Sequence, residues 1–185
     1  MIAIVLLVAA IAVALAGLPL RSRAAHDRAR TDEQVRRIDL VMTVVLAALF
    51  GAAAIAAAVA SPMTGAGRAA VEVIAVVAAA VTGGPVVRVV LAAGGIPTRS
   101  ENYDDPEAEP MLRGGRIIGV LERTGVAASL ILAWPAGIAV ILGIKGLARF
   151  PQLREHHASE QFILGTFASV LWACAAAGIG FLIGR

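Results

Sequence analysis

Charged and aromatic residues are scarce in this chain of 185 residues. Only 16% of the residues are charged and 4% are aromatic, whereas 59% are hydrophobic. A soluble domain of this size carries about 25% charged residues, so the composition excludes an ordinary soluble enzyme. It also excludes a disordered chain, because disorder requires low hydrophobicity and high charge.

Cysteine and lysine are nearly absent. The single cysteine, Cys174, excludes an intramolecular disulfide scaffold and a cysteine-based metal site. The single lysine, Lys145, leaves arginine as almost the whole source of the net charge of +3. These arginines cluster in short segments between apolar stretches, where positive charge sets membrane orientation. The basic balance therefore indicates no nucleic-acid partner.

Long uncharged segments are what the sequence has in place of charge. A helix of about 20 apolar residues spans the hydrocarbon core of a bilayer, and five segments approach that length. The predicted fold class is therefore all-α: a polytopic membrane helix bundle with about five transmembrane helices in a single transmembrane domain. The expected spans are 1–20, 40–61, 70–93, 117–144 and 161–184, with polar loops at 21–38 and 94–115.

The first segment is predicted to be a retained helix. It has no basic start and is longer than the apolar region of a signal peptide.

Glycine and proline mark two further features of the predicted helices. The sequence Gly83–Pro85 lies inside the third segment and predicts a kink or a break there. Glycines four residues apart, Gly115 with Gly119 and Gly180 with Gly184, favour close approach of neighbouring helices.

Basic residues are unequally divided between the two sides of the predicted bundle. Loops 21–38 and 94–115, with Arg116 and the last residue, carry ten, whereas the segments on the other side carry four. Positive charge is retained in the cytoplasm. We therefore expect the N-terminus outside and the C-terminus in the cytoplasm.

Charged residues at the ends of predicted spans are the candidate polar or ion-pair sites. Arg88 is expected to reach the headgroups at the cytoplasmic edge, with Glu122 as an alternative partner. Glu122 and Arg123 precede the fourth span and Lys145 follows it, about 33 Å away along one continuous helix. Glu122 and Lys145 are therefore expected at opposite faces of the bilayer, with Glu160 as the partner of Lys145. These charged residues have two alternative roles. They are either interfacial clamps that fix the register of the helices or groups that take part in the function.

His156, His157 and Glu160 are the weak candidates for a metal site. Adjacent histidines on a helix point about 100° apart, and the metalloprotease pattern HExxH is missing. We therefore expect no metal and no other cofactor.

Three stretches of the second half resemble an uncharacterised family of bacterial integral membrane proteins. They are GRIIGVLER at 115–123, GIKGLARF at 143–150 and EQFILGTFAS at 160–169. The resemblance covers about residues 114–172 and implies a multi-pass protein of the bacterial cell (inner) membrane. The family has no agreed activity, so no mechanism follows. The resemblance draws attention to the polar residues within it: Glu122, Arg123, Lys145, Arg149, Glu160 and Thr166.

Two classes of function remain open. The first is a non-enzymatic membrane protein, either an accessory subunit or a small transporter or channel-like module, since catalytic motifs are missing. The alternative is a membrane-embedded enzyme acting on a lipid or isoprenoid through Glu122, His156, His157 and Glu160. The predicted topology opposes the enzyme, because it separates Glu122 from the histidines. The expected partners are the lipid bilayer and either a homo-oligomer or a larger membrane complex.

Overall fold

The computed structural model describes residues 1–27, 31–96, 115–150 and 156–184. Throughout these ranges the chain consists of helices joined by short turns, which confirms the all-α fold class. The helices are α1 (Ile2–His26), α2 (Asp32–Val59), α3 (Ala66–Ala93), α4 (Gly115–Ile131), α5 (Ala136–Arg149) and α6 (His156–Gly184).

Four of the helices are long and apolar enough to cross a membrane. They are the first, second, third and sixth, with apolar stretches of 24 to 28 residues. At 1.5 Å per residue these stretches are about 36 to 42 Å long, which exceeds the hydrocarbon thickness of about 30 Å. They coincide with four of the five predicted spans and indicate a multi-pass membrane protein.

The loop predicted at 21–38 is largely helical. α1 continues to His26, and α2 begins at Asp32. The start of α2 is fixed by a capping box, in which the Thr31 side chain accepts a hydrogen bond from the Gln34 backbone and the Gln34 side chain accepts one from the Thr31 backbone. Asp32 and Glu33 in the first turn add favourable charge at the helix N-terminus.

The predicted fourth span, 117–144, is wrong as a single helix. The chain turns after Ile131, where Ala133 adopts a positive φ of 54° and the Trp134 N–H returns to the Ser129 carbonyl. Pro135 follows, and a proline has no N–H with which to continue the helical hydrogen bonds. The sequence therefore forms two helices, α4 and α5.

Helices α4 and α5 form an antiparallel helical hairpin. A Cβ atom built on Gly125 of α4 would meet Ile141 Cδ1 of α5 at 2.6 Å, and Gly137 of α5 lies against Ser129 of α4. The two glycines thus let the helices approach closely near the tip of the hairpin.

Helix α3 is continuous at Gly83–Pro85, where a kink or a break was predicted. It runs through this sequence without interruption, so the break is absent. Pro85 cannot donate a hydrogen bond to the carbonyl four residues earlier. Just before that position, the carbonyls of Ala79 and Ala80 accept hydrogen bonds from Arg123 of α4, so a neighbouring helix supports α3 at this point.

Helix α3 lies at the centre of the bundle and contacts α1, α2, α4 and α6. It packs antiparallel to α6, with Gly180 against Ala75 near one end and Gly94 against Leu164 near the other. A Cβ atom at Gly180 would lie 2.7 Å from the Ala75 Cβ, so the predicted role of this glycine in close packing is confirmed. Gly115, by contrast, has open space around it.

The bundle has two ends, which we call the basic face and the opposite face. The basic face holds the end of α1, the start of α2, the end of α3 and the starts of α4 and α6. The opposite face holds the other ends of the long helices, where the Met63 N–H donates to the Ile183 carbonyl at 2.9 Å.

Met1 and Gly184, the first and last described residues, lie at the opposite face. Gly17 contacts Met42 and Arg21 pairs with Asp39, so α1 and α2 are antiparallel and Met1 lies at the same end as Val59. The contact of Ile183 with Met63 brings the end of α6 to that end too. The sequence analysis expected the two termini on opposite sides of the membrane, whereas these contacts bring Met1 and the end of α6 to the same end of the bundle, because the predicted fourth span returns as a hairpin.

The basic residues that the structure describes are concentrated at the basic face. Those that lie there outside the bundle interior are Arg23, Arg36, Arg37, Arg116 and Arg149. Arg68 is at the opposite face, where it pairs with Glu72 through a contact of 2.8 Å. The hairpin adds to this asymmetry, because it moves Lys145 and Arg149 to the basic face.

Candidate functional site

Glu122, Lys145 and Thr166 form a hydrogen-bonded group that joins three helices. The Nζ atom of Lys145 in α5 donates to Glu122 Oε2 of α4 at 2.6 Å and to Thr166 Oγ1 of α6 at 2.8 Å. The Glu122 side chain is only 4% exposed. The group therefore ties the hairpin to α6 close to the basic face.

The ammonium of Lys145 also lies over the ring of Phe162. The distance from Nζ to the ring centroid is 5.4 Å, within the range of a cation–π contact. A lysine ammonium has three hydrogen-bond donors, so the carboxylate, the hydroxyl and the ring together provide a full set of partners.

The predicted separation of Glu122 from Lys145 is wrong, and so is the predicted pairing of Lys145 with Glu160. The 33 Å estimate assumed one straight helix, whereas the turn at Ala133 folds α5 back along α4. Glu160 is exposed at the start of α6. The sequence stretches 115–123, 143–150 and 160–169 supply Glu122, Lys145 and Thr166, one residue each.

Arg88 pairs with Asp39, a residue that the sequence did not single out. The Nε and Nη2 atoms of Arg88 in α3 donate to Asp39 Oδ1 of α2 at 2.9 and 2.7 Å. Arg21 of α1 lies on the other carboxylate oxygen, with Nε 3.5 Å from Oδ2. The expected contact of Arg88 with headgroups and its alternative pairing with Glu122 are both replaced by this ion pair.

Arg123 lies in the interior of the bundle, 5% exposed, with its guanidinium on the backbone of α3. Its Nε donates to the Ala79 carbonyl at 3.0 Å, and its Nη2 donates to the Ala80 carbonyl at 2.8 Å. The guanidinium has room to lie against α3 because residue 83 is a glycine. A Cβ atom at Gly83 would lie 2.6 Å from Arg123 Nε. Gly83 therefore accommodates a buried arginine rather than breaking the helix.

Thr82 of α3 and Trp172 of α6 complete the set of interior polar residues that we call the polar layer. Its other members are Asp39, Arg88, Glu122, Arg123, Lys145 and Thr166. The indole Nε1 of Trp172 donates to Thr82 Oγ1 at 2.7 Å, and the Thr82 hydroxyl donates to the Ala78 carbonyl. The Trp172 ring stacks on Phe50 of α2, with centroids 4.5 Å apart. This contact links the polar layer to the apolar core.

Two buried oxygen atoms near the Lys145 group make no hydrogen bond to another described residue. They are Oε1 of Glu122 and Oγ of Ser169, which lies one turn after Thr166 on α6. Buried polar atoms of this kind commonly bind an ordered water. They give the group spare acceptor capacity.

The remaining candidates are not brought into this layer. Arg149 is half-buried at the end of α5 and has no ion-pair partner among the described residues. The side chains of His156 and His157 lie outside the described part. Within that part, no group of three potential metal ligands occurs.

The argument that separated Glu122 from the histidines no longer holds. The starts of α4 and α6 are both at the basic face, since Lys145 bonds to Glu122 of α4 and to Thr166 of α6. His156 nevertheless precedes Thr166 by ten residues, which is about 15 Å along a helix. The bonded partner of Glu122 among the described residues is Lys145, which is not one of the residues of the enzyme alternative.

Asp39, Thr82 and Trp172 are the polar residues that the sequence analysis missed. Asp39 is the acidic residue at the start of the second apolar segment. This position at the edge of a predicted span was the signal by which the sequence could have identified it as a candidate. Thr82 precedes the Gly83–Pro85 sequence, which drew attention to the backbone instead.

The fold and its polar layer define a class of protein, a multi-pass helical membrane protein with paired charges inside the bundle. No protein-family model, no curated protein and no solved structure matches this chain.

Proposed function

We propose that this chain is a non-enzymatic membrane protein that acts as an accessory subunit of a larger membrane assembly. The observation that carries the proposal is that the charges inside the bundle are used to hold its own helices together. A buried ion pair leaves neither partner available for other chemistry unless the pair opens.

Each interior charge joins different helices. The Lys145 group joins α4, α5 and α6, and the pair of Arg88 with Asp39 joins α3 to α2. Arg123 joins α4 to α3 through backbone carbonyls. The arrangement supports a fixed scaffold, since all three connections are direct hydrogen bonds between neighbouring helices.

The short length and peripheral position of helix α5 support the proposal that a partner protein binds outside the bundle. It packs on α4, and Gly137 is its buried residue. Its 14 residues extend about 21 Å, which is shorter than the hydrocarbon core of about 30 Å. A short peripheral helix is poorly matched to lipid, and association with another membrane protein relieves such a mismatch. Val140, Ile144 and Leu147 are the exposed large apolar residues that face outward there.

We further propose that the basic face is cytoplasmic. This follows from the charge asymmetry of the described ends of the bundle, because positive residues are retained in the cytoplasm. Met1 and Gly184 then lie on the external side. Membership of the bacterial membrane family and location in the bacterial cell (inner) membrane are proposals that rest on the resemblance at 115–123, 143–150 and 160–169.

Photo-crosslinking in native membranes tests the accessory role. A photoreactive residue is placed at Val140 or Leu147 of α5, and matched variants carry it at Val5 of α1 or Ile55 of α2. All four positions are 51% to 78% exposed. We expect a protein adduct of defined mass from the two α5 positions and lipid adducts from the two control positions.

Three results would contradict the accessory role. The first is lipid adducts alone at all four positions, and the second is an adduct of twice the chain's mass, which would indicate a homo-oligomer. The third is a proton current across liposomes containing the purified protein that disappears in Glu122→Gln. That current would favour the transporter alternative, for which the free acceptor atom of Glu122 is the supporting observation.

A further inference from the structure

The turn between α4 and α5, residues 132–135, which we call the hairpin tip, lies near the end of the bundle. A Cβ atom on Gly180 of α6 would lie 4.0 Å from Ile131 Cδ1 at the end of α4. Helical side chains lean towards the helix N-terminus, which for α4 is at the basic face, so the Ile131 backbone is level with Gly180 or beyond it. Four residues, about 6 Å of helix, separate Gly180 from Gly184. The hairpin tip is therefore within about one turn of the end of α6.

A charged pair marks the polar boundary of the opposite face at nearly the same level. Gly180 lies against Ala75 of α3, and Gly184 lies against Arg68. Between these two positions on α3 is Glu72, which pairs with Arg68 at 2.8 Å. Exposed charges are costly in hydrocarbon, so this pair belongs at the level of the headgroups. The hairpin tip reaches the same region rather than ending halfway through the bundle.

The backbone of the hairpin tip requires hydrogen-bond donors from outside the described helices. The carbonyls of Ile131, Leu132 and Ala133 accept no hydrogen bond from another described residue. Pro135 contributes to this, because its nitrogen has no hydrogen to donate to the Ile131 carbonyl. Leu132 and Ala133 are exposed. Irregular backbone exposed to lipid does not occur in the hydrocarbon region, where such carbonyls have no donor, whereas interfacial water supplies donors.

Trp134 is the large side chain of the hairpin tip, and it is 56% exposed. A tryptophan has an apolar ring and one N–H donor, and this combination is favourable at the boundary between membrane and water. The other tryptophan, Trp172, differs from it because it stacks on Phe50 inside the bundle and donates to Thr82. Depth, backbone and side chain of the hairpin tip thus agree on one environment.

We propose that Trp134 anchors the hairpin tip in the lipid headgroup region at the opposite face. Water and headgroups there provide the hydrogen bonds that the tip carbonyls lack, and the indole ring lies along the upper acyl chains. Helix α4 then crosses the hydrocarbon core, since its 17 residues extend about 26 Å and the hairpin tip adds to this length. The proposal is independent of the accessory role, which concerns the outward side of α5.

Fluorescence quenching of the full chain in proteoliposomes tests the anchor. The Trp134 signal is the difference between the wild type and Trp134→Phe, a variant that keeps an aromatic ring near Gly137 and retains Trp172 as the internal control. One set of liposomes contains phosphatidylcholine brominated on acyl carbons near the headgroup. A second set contains phosphatidylcholine brominated near the chain ends, and a third set is unbrominated, with acrylamide on both sides of the membrane.

We expect the Trp134 signal to lose more intensity to the shallow bromine than to the deep bromine, and to be quenched by acrylamide. The Trp172 signal should lose less than that of Trp134 to acrylamide, because Trp172 is packed inside the bundle.

Three results would overturn the proposal. Deep-bromine quenching that equals or exceeds shallow-bromine quenching, or bromine quenching without acrylamide quenching, would place the hairpin tip in hydrocarbon. Acrylamide quenching without bromine quenching would place it in a water-filled cavity. No quenching by any of the three would mean that a second copy of the chain covers it.

Discussion

At the scale of single residues, Gly83 and Arg123 depend on each other. The missing side chain of Gly83 lets the Arg123 guanidinium lie against the backbone of α3, where it donates to the carbonyls of Ala79 and Ala80. Trp172 closes the same space, with Cδ1 3.1 Å from the position of a Cβ atom on Gly83. A buried guanidinium is tolerated only where its donors find acceptors.

Replacing Gly83 with alanine should destabilise the protein. The new methyl group would displace Arg123 from its carbonyl acceptors, and overpacking of this kind costs about 1 to 3 kcal/mol. Gly51→Ala in α2 is the control, because a Cβ atom there would meet nothing within 4 Å. Thermal unfolding in detergent should show a lower midpoint for Gly83→Ala only, and equal midpoints for the two variants would refute the steric argument.

Neighbouring residues also have separate roles that the sequence does not reveal. Glu122 and Arg123 are adjacent, yet their side chains leave α4 about 100° apart. Glu122 bonds to Lys145, and Arg123 bonds to the backbone of α3. The sequence identified both as candidates but could not assign their partners, since partners are set by which helices become neighbours.

At the scale of helices, the hairpin of α4 and α5 is held to the bundle by Lys145. This residue joins α5 to Glu122 on α4 and to Thr166 on α6. Without it, Oε2 of the buried Glu122 carboxylate would lose the ammonium that donates a hydrogen bond to it.

A double-mutant cycle should show that Glu122 and Lys145 are coupled. Lys145→Met leaves an uncompensated buried carboxylate, and removing one partner of a buried pair costs about 3 to 5 kcal/mol. The double variant Glu122→Gln with Lys145→Met should lose less stability than the sum of the single variants. Thermal unfolding midpoints of the four proteins measure the difference.

Arg149→Met is the matched control for this cycle, because it removes a positive charge one turn further along α5 where no ion pair occurs among the described residues. It should leave the midpoint nearly unchanged. Additive losses in the cycle would mean that the pair contributes nothing to the attachment of the hairpin.

At the scale of the whole molecule, the hairpin decides the topology. With four long helices and a hairpin that returns to its own face, Met1 and Gly184 lie at the same end of the bundle. A straight fourth span would have placed the end of α6 at the basic face.

Cysteine labelling in intact cells should distinguish the two topologies. In a Cys174→Ala background, single cysteines are placed at Ile2 and Thr64 of the opposite face and at Arg37 and Ile117 of the basic face, all exposed positions. A membrane-impermeant maleimide should label Ile2→Cys and Thr64→Cys, and should label the other two only after lysis. A cysteine at Leu147 distinguishes the hairpin from a single fourth span. If α4 and α5 form a hairpin, Leu147→Cys should be labelled only after lysis, like Arg37→Cys. If α5 ended outside, Leu147→Cys would be labelled in intact cells.

The sequence by itself determined the fold class and four of the spans. This was possible because the length and apolarity of a spanning helix are local properties that the bilayer imposes. The pair of Arg68 with Glu72 is equally local, since residues four apart on a helix are neighbours regardless of what surrounds them.

Only the tertiary structure decided which charges meet and which face the last helix reaches. The turn at Ala133 places Lys145 beside Glu122, and the packing of α2 against α3 places Asp39 beside Arg88. Asp39 and Arg88 are 49 positions apart in the sequence. Contacts across such separations depend on the relative placement of whole helices, which no local pattern of residue types specifies.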